Sequence, residues 1–229
     1  MEYRNELKYI VTEHELDILY YRLRNIMKLD LNSKENNTYN IRSIYFDDYY
    51  NTYFHENESG INERLKIRIR IYNKSDSIIK LEIKHKKNSM TRKESVTISK
   101  EICEKLINGK NLSYEECKNN KILNKIYIEQ RLKLLKPKII VEYDRTAFVS
   151  KLGNVRITFD KNIRTSRKLE RFFENNIYAH PINELNTHVL EVKYDEFIPQ
   201  YILDILELNT LRQTSYSKYY LSRLCIGGE

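Results

Sequence analysis

Leu65-Lys-Ile-Arg-Ile-Arg-Ile-Tyr72, followed after a polar break by Lys80-Leu-Glu-Ile-Lys-His-Lys86, decides how the rest of the chain is read. Successive side chains of an extended strand point to opposite faces. Lys66, Arg68 and Arg70 therefore share one face, and Leu65, Ile67, Ile69 and Ile71 share the other. In the second run Lys80, Glu82, Lys84 and Lys86 lie opposite Leu81 and Ile83, with residues 73–77 as the hairpin connection. Any half-solvated sheet produces one such strand. Its recurrence asks for more.

The alternation returns far along the chain. Residues 155–160 set Arg156, Thr158 and Asp160 against Val155, Ile157 and Phe159, and residues 188–195 set Glu191, Lys193 and Asp195 against Leu190, Val192 and Tyr194. Near the start, Arg4, Glu6 and Lys8 alternate with Asn5, Leu7 and Tyr9. Joined into one sheet, these strands predict an α+β fold: a closed antiparallel β tunnel barrel with a charged interior and helices packed outside. Like charges confined in a lumen are costly unless a polyanion or metal compensates them, so a phosphate-rich ligand is expected.

Bulk properties agree and narrow the classes. The 229 residues carry 40 Lys and Arg against 32 Asp and Glu, a net charge of +8, which favours an anionic partner. Cys103, Cys117 and Cys225 have neither metal-ligand spacing nor a disulfide framework, and no apolar run approaches the roughly 20 residues of a membrane span. A cytoplasmic location is expected. With five glycines, no phosphate loop or dinucleotide fingerprint can be assembled, so phosphate must be held by side chains.

Between the charged strands the chain reads as helices and loops. Thr12 with Glu15 forms a capping-box signature ahead of Leu16, Leu19, Tyr20, Leu23 and Met27 at helical spacing. Residues 99–108, 118–135 and 199–208 also read as helices, and 164–186 as a polar, irregular stretch. Asp47 and Asp48 follow a strand at 39–46 and read as a turn or helix cap. Arg92 and Lys93 are either phosphate ligands or part of a basic turn, and spacing alone favours the turn. Arg164, Arg167, Lys168 and Arg171 lack the aromatic interleaving of an RNA-binding surface, and nucleic acid is not expected. In residues 138–150, Glu142 and Asp144 face one way and Tyr143 and Arg145 the other. The two pairs cannot project the same way without a bulge or twist.

Arg4-Asn-Glu-Leu-Lys-Tyr9, Ser43-Ile-Tyr-Phe-Asp47, Leu65 to Tyr72, Leu81-Glu-Ile-Lys84, Glu142-Tyr-Asp-Arg-Thr-Ala-Phe148, Val155-Arg-Ile-Thr-Phe-Asp160, Leu190-Glu-Val-Lys193 and Ser217-Lys-Tyr219, in this order, resemble the VTC-type polyphosphate polymerase domain of the triphosphate tunnel metalloenzyme superfamily. The resemblance covers nearly the whole chain and implies one VTC-like tunnel domain over residues 1–229. It implies a phosphotransferase acting on ATP and inorganic polyphosphate with Mn2+ or Mg2+. Carried over by position, Lys8, Arg68, Arg70, Lys84, Arg145, Arg156 and Lys218 hold phosphate oxygens. Lys93 (or Arg92 in its place), Tyr143, Lys193 and Ser217 assist, and the metal falls to Glu191, with Glu82 and Glu6 beside it. The family pattern also selects Tyr143 and Arg145 as inward. Hydrolytic members resemble Glu-x-Glu-x-Lys in the first strand, where this chain has Arg4, Glu6 and Lys8. That replacement implies one metal ligand fewer, one phosphate clamp more, and the polymerase branch. Product translocation would need a separate membrane-protein partner.

Overall fold

Strand β4 (Glu63–Tyr72) turns into β5 (Ser75–Lys87) through two residues, Asn73 and Lys74, both left-handed at φ 50° and 59°. Positive φ at both positions is what a tight hairpin matched to strand twist requires, so the connection is shorter than the five residues expected. The register sets Lys66 opposite Lys84 and Arg68 opposite Glu82. The charged residues of both strands share a face, as their alternation predicts.

The computed structural model describes residues 3–30, 37–88, 90–208 and 210–227. The other elements are β1 (Arg4–Thr12), α1 (Glu13–Leu23), β2 (Lys28–Leu29), β3 (Tyr39–Asp47), α2 (Thr52–Glu58), β6 (Met90–Ile98), α3 (Lys100–Ile107), α4 (Tyr114–Cys117), α5 (Lys121–Leu132), β7 (Lys136–Val149), β8 (Arg156–Ser166), β9 (His180–Pro181), β10 (Thr187–Tyr194), α6 (Gln200–Leu206) and α7 (Lys218–Cys225). Strands run in the order β7-β3-β4-β5-β6-β1-β10-β8, and β8 pairs back with β7 to close an antiparallel barrel. The short β2 and β9 attach to β7 and β8.

The hydrophobic cores lie outside this barrel. Ile67, Ile69, Ile71, Leu81 and Ile83 are buried in one core with Cys103, Leu106 and Ile126 of α3 and α5. Phe148, Ile157, Phe159, Leu190 and Val192 form the other with Leu16, Leu19 and Leu23 of α1 and Ile202 of α6. Each fully buried aliphatic side chain contributes about 1.5–3 kcal/mol, so the outer faces of the strands hold the helices and leave the inner faces free for charge. Thr12 caps α1 through the reciprocal box with Glu15. Among the described residues no helix is long and apolar enough to cross a membrane.

Two local expectations are corrected, and the parity of residues 142–145 is settled. The stretch 118–135 is a helix only over α5, preceded by the separate turn of α4 with its own Ser113–Glu116 capping box. Residues 164–166 belong to β8, where Arg164 pairs with Glu142. In β7 the two pairs keep to opposite faces, Glu142 and Asp144 on one and Tyr143 and Arg145 on the other, and the bulge lies in β8. Register slips between Glu142, opposite Arg164, and Asp144, opposite Lys161, and Asn162 takes φ 53° at the bulge. Glu142 is bound by Arg42 at 2.5 Å and by Arg164, while Tyr143 and Arg145 face the lumen.

One seam of the barrel is short. β1 meets β6 through two residue pairs among the described residues, Arg4 with Thr91 and Asn5 with Met90. Farther along β1, Gln213 bridges to Tyr9 and the Thr214 amide donates to the Lys8 carbonyl at 2.9 Å. The C-terminal segment therefore runs along β1 before entering α7.

Candidate functional site in the barrel lumen

Register carries the inward residues from strand to strand. Lys8 stands opposite Glu191, Glu6 opposite Lys193, Lys193 opposite Arg156, and Arg145 opposite Asp160. Contacts between strands that are not neighbours place these faces around one lumen. Arg70 Nη2 of β4 donates to the Tyr143 hydroxyl of β7 at 3.2 Å, and Lys84 Nζ of β5 reaches Glu6 of β1 at 2.6 Å.

Glu6 and Glu191 form one cluster. Lys8 lies 2.9 Å from Glu6 and 4.0 Å from Glu191, and Lys193 lies 3.9 Å and 3.2 Å from the same two carboxylates. Lys8 Nζ also donates to the Tyr216 carbonyl at 2.8 Å. Burial works against ionisation of Glu6, but Lys8, Lys84 and Lys193 outweigh it and hold the carboxyl well below its ordinary range. Burial and Glu6 both raise Glu191, yet Lys193, Lys8 and Lys84 bring it down on balance. Both acids are anions. Burial and the neighbouring Lys8 and Lys193 push the Lys84 ammonium down to about 8 despite Glu6, whereas burial of Lys8 is outweighed by Glu6 and Glu191, which raise it.

Glu82 sits in a second cluster. It binds Arg68 and Lys93, each at 2.7 Å, with Arg70 at 3.9 Å, and Arg68 donates to the Tyr45 hydroxyl at 3.1 Å. Lys93 therefore turns to Glu82 on the lumenal face, while Arg92 pairs with Glu94. The third cluster centres on Asp160, bound by Arg145 and by Lys218 at 2.6 Å. Lys218 Nζ also stands 4.8 Å from the centre of the Tyr143 ring. Ser217 caps α7 by accepting from the Tyr220 amide and takes a 2.6 Å hydrogen bond from Lys66. Arg156 is held at the side by Asp30 at 2.5 Å and by the Tyr39 hydroxyl at 3.0 Å.

Asp47 and Asp48 stay outside the lumen, as expected. Asp47 accepts the amides of Asp48, Tyr53 and Phe54 and the hydroxyl of Tyr219, which ties α2 and α7 to the barrel end. Arg4 corrects an expectation. Its guanidinium binds Asp195 at 2.7 Å and the Asn154 carbonyl, so it braces the β1–β10 end instead of reaching the clusters as a phosphate clamp.

Sequence reasoning passed over Lys66 and Asp160, although both share strand faces with residues it chose. Lys66 has no carboxylate within ion-pair distance among the described residues. Burial, then Lys8, Lys84 and Arg64, push its ammonium well below the ordinary lysine value. Tyr45 was passed over too, and it stacks on Tyr219 at 5.3 Å between barrel and α7.

The donors suit a hard divalent cation such as Mg2+ or Mn2+, which commonly takes one or two carboxylates and completes its shell with water and substrate phosphates. Glu6 and Glu191 fit that pattern. Glu82 is held apart by its own three cations, and among the described residues no three His, Cys, Asp or Glu side chains gather as a metal group.

Solved structures share this architecture. A protein from Hippeastrum, described as a candidate adenylyl cyclase with dominant triphosphatase activity, superposes with a TM-score of 0.60 at 13% identity, covering 98% of this chain and 96% of that one. A candidate adenylate cyclase from Bacillus halodurans gives 0.57 at 13% identity, covering 94% of each chain. At such identity the likeness establishes the fold alone. No curated protein matches the sequence. The VTC domain model matches residues 3–226, which span every strand of the barrel and the C-terminal helix that delivers Lys218 into it, and the chain therefore belongs to the VTC domain family.

Proposed function

We propose that the protein is a polyphosphate polymerase, transferring the γ-phosphate of ATP to a growing inorganic polyphosphate chain inside the lumen. The observation that carries this reading is the excess of inward cations over carboxylates. Burial first, and then neighbouring cations, push Lys66 and Lys84 down, and a phosphate chain would supply negative charge to both. A terminal oxygen of the acceptor phosphate attacks the γ-phosphorus in line. The bond from that phosphorus to the bridging oxygen breaks, ADP leaves, and the chain gains one unit.

Such a transfer needs alignment and neutralisation of spread negative charge more than covalent help from the protein. Arg68, Arg70, Arg145 and Lys218 are fixed donors whose carboxylate partners and Tyr143 preorganise them, so they bind phosphate oxygens with little rearrangement. Lys8, Lys84 and Lys193 neutralise the neighbouring phosphates. A divalent cation bound to Glu6 and Glu191 would add charge neutralisation at the phosphate oxygens. The acceptor is already anionic, so no general base is required.

A tunnel triphosphatase is the second reading, favoured by the pair of ionised carboxylates, Glu6 and Glu191. The test incubates the purified protein with ATP and Mn2+ or Mg2+, separates phosphate chains on a gel and measures orthophosphate in parallel. Chains that vanish in Glu191→Ala support the polymerase. Orthophosphate without chains selects the triphosphatase, and binding without either product selects a polyphosphate-binding module.

A further inference from the structure

β6 is paired along its whole length on one side and hardly at all on the other. β5 meets it from Met90 to Ile98, but β1 meets it only at Met90 and Thr91, so among the described residues 92–98 keep a free edge. Such an edge presents a row of unpaired amides and carbonyls, a template for one more strand. At about 3.3 Å per residue it runs for roughly 23 Å, the length of an ordinary strand. Beside it, outside the barrel wall, lies a groove of ≈ 570 Å³. One side of the groove is β6, through Arg92, Glu94 and Val96, and the other is the start of α5, through Lys121, Ile122 and Lys125. Val96 and Ile122 pack against the first hydrophobic core and give it an apolar floor.

The charge of this groove is one-sided. Glu94 is the one carboxylate among the described lining residues, and it is already taken by His85 and Lys125, each at 3.0 Å, and by Arg92 at 3.3 Å. Lys121 makes no ion pair among the described residues. Arg92 keeps a buried Nε with no hydrogen-bond acceptor, and buried donors are ordinarily satisfied. Asn120 Oδ1 accepts the amides of Ile122 and Leu123 at the start of α5, so the positive end of that helix faces the groove as well. Unpaired backbone and surplus positive charge therefore lie side by side, and a partner that satisfies both is an extended chain bearing carboxylates.

We propose that the free edge of β6 docks an extended acidic peptide of a partner protein as an added strand, with backbone hydrogen bonds along residues 92–98 and every second side chain, a carboxylate, lying in the groove against Arg92, Lys121 and Lys125. In strand addition the main-chain bonds supply affinity and the alternate side chains supply specificity. The intervening side chains of the peptide fall on the same side as Lys93, Ser95 and Thr97, so the added strand extends the barrel wall beyond β1. A second copy of this chain fits the edge poorly, because two β6 edges brought together also bring together two sets of the same cations. The proposal is independent of the chemistry performed in the lumen.

The test uses the intact protein and a blocked heptapeptide of alternating glutamate and valine, with the lysine and valine counterpart as control. The glutamate peptide should bind at least tenfold more tightly than the lysine one and should slow amide hydrogen exchange in residues 92–98. Methylating its backbone amides removes donors without changing charge and should weaken binding at least tenfold. Lys121→Glu, at an exposed side chain outside the lumen, should weaken binding about threefold and leave turnover unchanged. Binding that survives methylation is a charge contact without strand addition and overturns the proposal. Binding that tripolyphosphate displaces and Lys121→Glu does not alter places the peptide in the lumen and overturns it too. Slowed exchange in 92–98 that grows with protein concentration and needs no peptide gives the edge to a second copy, and absence of binding by the glutamate peptide leaves the edge without its partner; either result sinks the idea.

Discussion

Arg145 grips Asp160 with two parallel hydrogen bonds, Nε to Oδ1 at 2.6 Å and Nη2 to Oδ2 at 2.7 Å, across the β7–β8 pair. Lys218 reaches the same carboxylate from α7, so one fully buried anion holds two lumenal cations and the C-terminal helix. Burial raises the Asp160 pKa, but Arg145 and Lys218 overcome this and hold it far below the ordinary value. Asp160→Asn leaves Lys218 with no carboxylate within ion-pair distance among the described residues and Arg145 with only the 3.7 Å contact to Glu191, and should destabilise the protein by about 3–5 kcal/mol, read as a lower urea midpoint. Inorganic tripolyphosphate should then raise the melting temperature more in the variant than in the wild type, because it supplies the missing charge. An unchanged midpoint would mean that Asp160 does not hold this end of the lumen together.

The same group sets an acid limit. Its folded pKa is depressed, so its contribution to stability is complete above the ordinary aspartate value of about 3.9 and is lost as pH falls below that toward the folded value. Acid unfolding of Asp160→Asn should show a shallower loss than the wild type over that interval. Parallel curves would remove Asp160 from the acid response.

Arg68 and Ile67 are sequence neighbours on opposite faces and should fail in opposite ways. Arg68→Ala should lower phosphate turnover by about 10²–10³-fold, as for removal of a preorganised donor to transferred charge. It should keep cooperative unfolding, because Glu82 retains Lys93 and Arg70. Ile67→Ala, in the outer core, should cost about 2–5 kcal/mol of stability and spare activity in the folded fraction. Loss of folding in Arg68→Ala would make that residue scaffold.

Lys66 predicts proton uptake on binding. Its folded pKa lies well below the unfolded lysine value of 10.5, so its contribution to stability improves as pH rises through that window. A bound phosphate chain favours the charged form and draws a proton back. Titrating tripolyphosphate at alkaline pH in buffers of different ionisation enthalpy should reveal this uptake, and Lys66→Arg should reduce it. Equal uptake in both proteins would assign the proton elsewhere.

Glu6 and Glu191 should control the metal requirement of turnover and Glu82 should not. Glu191→Gln or Glu6→Gln should raise the Mn2+ or Mg2+ concentration needed for half-maximal turnover at least tenfold. Glu82→Gln should leave it within about twofold and act through Arg68 instead. A metal shift in Glu82→Gln equal to that of Glu191→Gln would merge the two clusters.

Much of the site was legible because strand parity is local. The alternation in 65–72 and 80–86 put Arg68, Arg70, Glu82 and Lys84 on one face, and every one of them faces the lumen. The conflict in 142–145 was visible as well, but not that the bulge lies at Asn162 in the partner strand, since register is a property of the pair. Lys66 shared its face with the chosen arginines, and its lack of a carboxylate partner within ion-pair distance among the described residues is visible only once the barrel is closed.

The amino-acid sequence by itself determined which residues share a face, where α1 begins, and that apolar and charged faces must part company, because side-chain alternation and capping act over a few residues. Tertiary structure alone decided which charges meet. Closure brings Glu6 beside Glu191 and leaves Glu82 with its own cations, turns Arg4 toward Asp195, and sets Lys218 on Asp160. Those outcomes depend on strand register and on where the C-terminal segment crosses the seam, and both join residues far apart in the chain.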